Sequence, residues 1–274
     1  MSIVTISRGS YSKGKEVAQK VAERLGYKCI ARDVIIETSK EFNTSEFKLI
    51  RAIHDAPSIL ERFTHGKEKY IAYFQAALLK HLREDNIVYH GLAGHFFVKG
   101  VSHALKVRII ADMDDRVRLE MAREKVSKEE ALRILKGDDE ERRKWSFNLY
   151  GIDTADPALY DLIVHIRELT VDDAVDIICN AVGLDRFHTT FESQKMMDNL
   201  ALAAEVKAAL VHINLDVEVQ AEDGLVHVES RAPLTEETEL EKEMEQIVMA
   251  IPGVKRVNIK AVPRVKWSDG RLFP

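Results

Sequence analysis

The sequence is poor in cysteine and has no long apolar run. Its only cysteines, Cys29 and Cys179, stand far apart in apolar surroundings. This favours buried thiols in a reducing compartment over a disulfide framework or a metal site. No stretch approaches the roughly 18 apolar residues that a membrane-spanning helix needs, and the first six residues lack the basic and apolar regions of a secretory signal. We therefore expect a cytoplasmic globular protein without membrane insertion.

An excess of one charge sign occurs only towards the C-terminus. Residues 197–262 contain 6 Lys or Arg and 13 Asp or Glu, which gives this segment a net charge of −7 against −5 for the whole chain. Phosphate backbones and anionic lipids repel an acidic surface. We therefore expect no nucleic-acid polymer among the partners of this protein.

Short β-branched runs alternate with longer helical patterns over residues 1–183, which predicts an α/β domain with a mostly parallel five-stranded sheet. The runs are almost continuously apolar, as expected for strands that helices cover on both faces. The predicted strands are Ser2–Ile6, Tyr27–Ala31, Asn86–His90, Lys106–Ala111 and Leu162–Ile166. The predicted helices cover about 14–25, 33–41, 45–53, 66–84, 113–124, 127–150 and 170–182.

The pattern changes after Gly183. Residues 184–196 are polar without a clear period and are predicted to be a linker. Residues 197–262 predict a small α+β domain of order α-β-β-α-β, whose first helix is capped by Asp198 and whose first two strands are joined at Asp223-Gly224, a strong hairpin signal. Residues 263–274 form a tail, for which disorder and docking of its aromatic residues on a neighbour are both open.

The loop between the first strand and the first helix carries the clearest chemical signal. Residues 7–16 read Ser-Arg-Gly-Ser-Tyr-Ser-Lys-Gly-Lys-Glu, which satisfies most of the P-loop pattern. Glycines let the backbone aim its amides inward, and the helix N-terminus and a lysine add positive charge. An ordinary strand-to-helix turn is the alternative. We predict a polyphosphate site formed by Gly9, Ser10, Ser12, Lys13, Gly14, Lys15 and Glu16.

Glu16 stands where the P-loop pattern has a magnesium-binding hydroxyl residue. A carboxylate binds Mg²⁺ directly or through water, because hard oxygen ligands suit this ion. A glutamate in the first turn of a helix also interacts favourably with the helix dipole and needs no metal for that. Both interpretations are open.

This loop and several later segments resemble the cytidylate kinase-like family, a branch of the P-loop nucleoside monophosphate kinases. Ile6-Ser7-Arg8 and Gly14-Lys15-Glu16-Val17 match the family's loop, and Arg32-Asp33 stands in the place of its Asp-Arg or Asp-Lys segment. The matches that follow, in the family order within residues 1–183, are Asp139-Glu140-Glu141-Arg142, Asp156-Pro157 and Tyr160-Asp161-Leu162.

The resemblance implies a P-loop kinase-like three-layer sandwich that transfers a phosphoryl group from ATP, with Mg²⁺, to a nucleotide or small phosphorylated acceptor. It implies that Lys15 contacts the β- and γ-phosphates and that a lid around residues 125–150 supplies Arg142 and Arg143. It places Arg123 near the nucleotide, and Arg32, Asp33 and Gly91 at the acceptor pocket. A solvated mixed-charge helix face is the alternative for the lid charges.

Leu92 departs from the family, which commonly has an arginine at this position to serve the acceptor. A leucine cannot hold a phosphate, which argues against CMP as the acceptor. His90 and His95 stand nearby as substitutes able to donate hydrogen bonds or carry charge, although a histidine in such a place is more often simply packed and hydrogen-bonded. The departure also favours a second hypothesis, a nucleotide-binding sensor without catalysis that signals through its C-terminal domain.

Residues 197–262 resemble a BON domain, a small module of bacterial proteins. The matching features are Val217-Glu218-Val219, Gly224 with Val226 and Val228, and Pro252-Gly253-Val254. The apolar residues among them are explained by a core and point to no activity. Since this module is acidic, we expect an interaction or regulatory appendage that mediates self-association or binds a protein partner.

Overall fold

The computed structural model describes residues 1–9, 12–31, 33–46, 49, 67–91, 93–232 and 237–263. Its larger sheet has five strands, all parallel, and confirms the strands predicted from the sequence. They are β1 (Ile3–Arg8), β2 (Lys28–Ile30), β3 (Ile87–His90), β4 (Ala104–Ala111) and β5 (Leu162–Ile166). Their order in space is β2-β3-β1-β4-β5. The central strand β1 therefore delivers the following loop to the middle of the sheet.

Helices cover both faces of this sheet. They are α1 (Gly14–Leu25), α2 (Asp33–Glu41), α3 (Lys67–Leu82), α4 (Gly94–Phe97), α5 (Met113–Glu124), α6 (Lys128–Tyr150) and α7 (Val171–Val182). All but the four-residue α4 were predicted. The helix predicted over 45–53 lies mostly outside the described residues. The long helix α6 begins where the Ser127 side chain accepts a hydrogen bond from the amide of Glu130, a regular N-cap.

The face covered by α1 and α7 has its own apolar core. Val21 of α1 and Ile178 of α7 are both completely buried in it, together with Val4 and Val107 of the sheet. At its surface, Lys20 Nζ lies 2.8 Å from Asp172 Oδ1, and Arg24 pairs with Asp176. These exposed pairs add little free energy, so apolar burial holds the two helices together.

We expect Ile178→Ala to lower the free energy of unfolding by about 3 kcal/mol, because it removes buried methyl groups and leaves a cavity between α7 and the sheet. Asn180→Ala, at an exposed position two residues further along the same helix, should change it by less than about 0.5 kcal/mol. Urea denaturation followed by circular dichroism measures both variants. Equal losses for both would contradict the assigned core.

Residues from 191 onwards form a second, smaller sheet with two helices. Its elements are α8 (Phe191–Leu210), β6 (Val217–Glu222), β7 (Leu225–Ala232), α9 (Glu237–Met249) and β8 (Arg256–Pro263). Strand β7 is central, antiparallel to β6 and parallel to β8. Asp223 and Gly224 join β6 to β7 with φ angles of 52° and 84°, as a type I′ turn requires. The predicted hairpin is therefore present.

Helix α8 begins at Phe191, seven residues before the predicted cap at Asp198. Thr190 is the N-cap, and its side chain and that of Ser193 exchange hydrogen bonds with each other's backbone amide. Asp198 instead lies within the helix, 3.9 Å from Arg83 Nε. The first turns of α8 thus occupy part of the segment predicted as a linker, whereas the division into domains at 1–183, 184–196, 197–262 and 263–274 stays a prediction.

Helix α8 packs on α3, so the smaller sheet and the larger one share a single apolar cluster. The cluster contains fully buried Leu78 of α3, Met197 of α8 and Met244 of α9. Two hydrogen bonds add to the packing between the two sheets. Gln194 Nε2 donates to the Arg83 carbonyl at 3.2 Å, and the Thr189 amide donates to the Met1 carbonyl at 3.0 Å. No helix in the described ranges is long and apolar enough to cross a membrane.

Candidate active site

A cleft of about 670 Å³ opens beside the carboxyl ends of β1 and β4. In sheets of parallel strands, ligands bind outside these ends, and the volume suits a small-molecule ligand. Four parts of the chain line the cleft: the loop after β1, the turn and helix after β3, the end of β4 with helix α5, and helix α6 with the segment after it. The residues that the argument uses are Ser7, Gly9, Ser12, His95, Phe96, Arg108, Arg116, Asp139, Arg142 and Arg143.

The loop after β1 turns tightly before α1. The hydroxyl of buried Ser12 donates to the Gly9 carbonyl at 3.1 Å, which closes the turn on itself. Lys13 has a left-handed backbone, with φ of 62°, and is the N-cap of α1. A Cβ at Gly14 would lie 2.7 Å from Arg8 Cβ, so only glycine lets the loop pack this closely against β1. Ser10 lies outside the described residues.

Lys15 and Glu16 lie in the first turn of α1, and both are exposed. Among the described residues, the part of this loop that lines the cleft ends at Ser12, so the Lys15 ammonium is not in the cleft wall. The side chain of Glu16 is 53% exposed, and its Oε1 lies 3.9 Å from Lys20 Nζ. The described residues include no group of three His, Cys, Asp or Glu that could hold a metal ion.

Arg142 and Arg143 of α6, the two arginines of the predicted lid, both line the cleft. Arg142 is largely buried, with 21% of its side chain exposed, and its Nη1 lies 4.0 Å from Asp139 Oδ1. Burial lowers the pKa of Arg142, and Asp138 and Asp139 oppose that shift. Arg143 is more exposed and pairs with Asp153 at 3.1 Å. Arg142 is therefore the more desolvated cation.

Arg116, in the first turn of α5, is a cleft residue that the sequence analysis missed. Its Nη1 and Nη2 donate to the two carboxylate oxygens of Asp139 at 2.7 and 2.9 Å. Its Cζ, Nη2 and Nη1 atoms lie 3.5, 3.5 and 3.6 Å from the place that a Cβ on Gly9 would occupy. The guanidinium plane therefore faces the backbone of the phosphate loop, and Asp139 is an ion-pair partner of both Arg116 and Arg142.

Arg108 and His95 line the cleft, and both contact Tyr160. Arg108 Nη1 donates to the Thr154 carbonyl and, at 3.1 Å, to the Tyr160 hydroxyl. The His95 ring lies 5.0 Å from the Tyr160 ring, measured between centroids, and 4.0 Å from Phe96. Burial lowers the pKa of His95 to about 3, and the charges of Arg108 and Lys106 add to the shift. His95 is therefore neutral near pH 7.

We expect His95 to make folding pH-dependent. In the unfolded chain His95 binds a proton near pH 6.5, whereas in the folded state it binds one only near pH 3. The stability linked to this group is therefore present above pH 6.5 and is lost as the pH falls. The loss should reach about 2 kcal/mol at pH 5. Urea denaturation at pH 8 and pH 5 should show a smaller pH dependence for His95→Gln than for the unchanged protein. An identical dependence in both would contradict this.

The remaining predicted site residues are not part of the cleft wall or lie outside the described residues. Arg123 is at the end of α5, where its side chain is 68% exposed and its Nε lies 3.1 Å from Glu124; it does not line the cleft. Gly91 directly follows β3 and packs over the Tyr89 ring. Asp33 begins α2. Arg32 and Leu92 lie outside the described residues.

Comparisons with known proteins cover the part of the chain that contains this cleft. The sequence model of the cytidylate kinase-like family matches residues 3–168. A cytidylate kinase of Pyrococcus horikoshii is 28% identical over 185 residues, which are 66% of this chain and 88% of that protein. A cytidylate kinase of Sulfolobus acidocaldarius is 25% identical over 187 residues, 67% of this chain and 96% of that protein. The crystal structure of an uncharacterised protein from Eubacterium ventriosum has the same fold, with a TM-score of 0.51 and 21% identity over 66% of this chain and 98% of its own.

Proposed function

Because the chain belongs to the cytidylate kinase-like family, we propose that it is an ATP-dependent phosphotransferase of the nucleoside monophosphate kinase type, which transfers the γ-phosphoryl group to a nucleotide-like acceptor. The observation that carries this proposal is the meeting of the loop after β1 with Arg116 and Arg142 in one cleft. Phosphoryl transfer needs positioning and charge neutralisation more than covalent help from the protein.

The phosphate-binding part consists of the loop and the N-terminus of α1. Amides around Gly9, Ser10, Ser12 and Lys13 and the positive end of the helix favour a triphosphate there. Gly14 allows the close packing of the turn. Lys15 is one residue further along the same helix end, and its exposed ammonium is available to the β- and γ-phosphates. Arg123 would need a change of position to reach the same nucleotide.

Mg²⁺ fits this site only together with the nucleotide. The ion is usually held by one or two carboxylates and the substrate phosphates, and it neutralises phosphate charge. Glu16 is the carboxylate at the helix end, and its 3.9 Å contact with Lys20 is weak enough to be exchanged. The lack of a three-ligand cluster in the described part of the chain agrees with a metal that arrives bound to ATP.

The lid arginines would act on the transferred group. Arg142 is preferred for this role, because its partly desolvated guanidinium lies in the cleft and its ion pair with Asp139 is long, at 4.0 Å. Arg143, which already pairs with Asp153, would assist from the rim. Arg32, Asp33 and Gly91 remain our assignments for the acceptor pocket. The leucine at position 92 keeps the identity of the acceptor open and argues against CMP.

The test is turnover of ATP with a panel of nucleoside monophosphates by the full-length chain. We expect phosphorylation of at least one acceptor, and a loss of at least about 100-fold in Lys15→Ala. Lys28→Ala is the matched control, since this exposed lysine lies in β2, where the strand begins, away from the carboxyl ends that form the cleft. Equal background rates for the unchanged protein and Lys15→Ala over the whole panel would remove the proposal.

A second candidate function is supported by the packing of α8 on α3. A nucleotide-binding sensor without catalysis needs packing contacts that transmit a change at the nucleotide site to the C-terminal domain. The apolar cluster shared by the two sheets provides such contacts. In this proposal the BON-like residues 197–262 mediate self-association or bind a protein partner. Tight ATP binding without turnover, and an oligomeric state that changes with ATP, would favour the sensor over the enzyme. Cys29 and Cys179 form no disulfide, which supports our expectation of a cytoplasmic location for either function.

A further inference from the structure

The wall of the cleft carries more positive than negative charge. In the described part of the chain, six lysine and arginine side chains line it, against three carboxylates. The cations are Arg8, Arg108, Arg116, Lys136, Arg142 and Arg143. A cleft lined mainly by charges of one sign concentrates ligands of the opposite sign. The excess of cations therefore suits a second anionic substrate in addition to the triphosphate.

Arg108 has an unneutralised charge and unused hydrogen-bond donors. Among the described residues it pairs with no carboxylate, whereas Arg116 and Arg142 both have an acidic partner. A guanidinium has five N–H groups. Nη1 of Arg108 donates to the Thr154 carbonyl and to the Tyr160 hydroxyl, and within the described ranges Nε and Nη2 make no hydrogen bond. Three N–H groups of this half-buried cation are therefore available to a ligand.

The strand pattern places Arg108 on the face of the sheet away from α1. Its neighbours Val107 and Ile109 are completely buried in the core under α1 and α7. Successive side chains of a strand point to opposite faces, so Arg108 projects from the other face. It stands in register with Ser7 of β1, two residues before Gly9. Arg108 therefore lines the cleft beside the phosphate loop, from the side opposite the helix whose N-terminus favours the triphosphate.

Arg108 also lies within electrostatic reach of Arg142, the arginine that we assign to the transferred group. Burial lowers the pKa of Arg142, and the charges of Arg116 and Arg108 add to this shift. In the proposed reaction, an oxygen of the acceptor's phosphate forms a bond to the γ-phosphorus while the bond from that phosphorus to ADP breaks and its electron pair leaves with ADP. The acceptor's phosphate must therefore lie next to the group that Arg142 contacts. A dianion at this place also offsets the repulsion between the two arginines.

Resting on the proposed function, we propose that Arg108 is a specificity-determining residue that binds the phosphate of the acceptor, so that the acceptor is a phosphate monoester. A guanidinium donates to two oxygens of one phosphate in parallel, which gives geometric selectivity as well as affinity. The contact supplies the positive charge that Leu92 cannot. A nucleoside without a phosphate lacks the group that Arg108 recognises.

Steady-state kinetics of Arg108 variants with the best acceptor of the panel tests this role. Arg108→Met should raise the KM of the acceptor about 30-fold, because hydrogen bonds between charged partners are lost, and should leave the KM for ATP within about threefold. Arg108→Lys keeps the charge without the planar fork, so we expect a smaller rise, of about fivefold. Circular dichroism shows whether each variant is folded.

Two control variants separate binding by Arg108 from a structural role. Lys106 belongs to the same face of β4, pairs with Asp161 at 2.8 Å and is not among the described residues that line the cleft. Lys106→Met therefore removes a nearby cation without touching the site. Tyr160→Phe removes a hydroxyl bonded to Arg108 and leaves the guanidinium in place. Both variants should keep the acceptor KM within about threefold of the unchanged protein.

Binding without turnover separates this inference from the proposed function. If the unchanged protein phosphorylates no acceptor, the function fails, and calorimetric titration with Mg²⁺ and a non-hydrolysable ATP analogue present still tests Arg108. At least one nucleoside monophosphate should bind about tenfold more tightly than its own nucleoside, and Arg108→Met should abolish this preference. The inference is overturned if no monophosphate is preferred, if the preference survives Arg108→Met, or if Arg108→Met weakens ATP and the acceptor equally. An equal rise of the acceptor KM in Tyr160→Phe also overturns it.

Discussion

Replacing Arg142 by alanine should lower kcat by about 10³-fold, while the KM for ATP changes by less than about tenfold. The guanidinium lies in the cleft, is largely desolvated and pairs with Asp139 at 4.0 Å, and Asp138 also acts on it electrostatically. Such a cation is worth most where negative charge spreads over the transferred phosphoryl oxygens, and arginines in this role contribute about 10³ or more to kcat. Steady-state kinetics with ATP and the best acceptor of the panel measures the effect.

Arg133→Ala is the matched control for this variant. Arg133 lies on the same helix and pairs with Glu130, an acidic residue three positions earlier, as Arg142 does with Asp139. Its side chain is 74% exposed and does not line the cleft. The Arg133→Ala variant should therefore have the kcat and KM of the unchanged protein. A loss of kcat of equal size in both variants would show that α6 matters only for folding and that Arg142 has no direct role.

Arg116→Met should both destabilise the fold and weaken nucleotide binding. It removes a guanidinium that is 9% exposed and bonded to both oxygens of Asp139, leaving that carboxylate with only the 4.0 Å contact to Arg142. Breaking a buried pair on one side costs about 3–5 kcal/mol, and the 38% exposure of Asp139 reduces this to about 2 kcal/mol. Loss of the cation beside Gly9 should raise the Kd for ATP about 100-fold. Urea denaturation and calorimetry measure the two effects.

The double variant Arg116→Met with Asp139→Leu separates the two effects. Replacing both partners by apolar groups removes the unpaired carboxylate, and Asp138 still acts on Arg142, so stability should return to within about 1 kcal/mol of the unchanged protein. The affinity for ATP should stay low, because the cation at the phosphate loop is still missing. If the double variant regained both stability and affinity, Arg116 would serve only the fold.

The strands and most helices could be predicted because each leaves a local pattern. Continuous apolar runs mark strands buried on both faces, and Asp223-Gly224 marks a hairpin whatever surrounds it. The start of α8 could not be found in the same way. Thr190 and Ser193 cap it without the glutamate or glutamine of a regular capping box, and the acidic Asp198 gave a stronger local signal although it pairs with Arg83.

The site was harder to predict than the fold, as two arginines of α5 show. The sequence analysis named Arg123, whereas Arg116 is the one that lines the cleft. The two arginines are seven residues apart, so they lie on the same face of α5 but about 10 Å apart along its axis. Helical periodicity cannot distinguish them. Arg116 faces the loop because the start of α5 is fixed by the end of β4, and its partner Asp139 is distant in sequence. Lys15 could be found from the P-loop pattern. The pattern does not show how exposed its side chain is, because that depends on how α1 packs.

Calorimetric titration of the folded full-length chain with Mg·ATP tests the central claim most directly. The loop after β1, with Arg116 beside Gly9, should bind the triphosphate with a saturable heat and a stoichiometry of about one, and Arg116→Met with Asp139→Leu should weaken this binding about 100-fold. Absence of any saturable heat with Mg·ATP, from a chain shown by circular dichroism to be folded, would contradict the account.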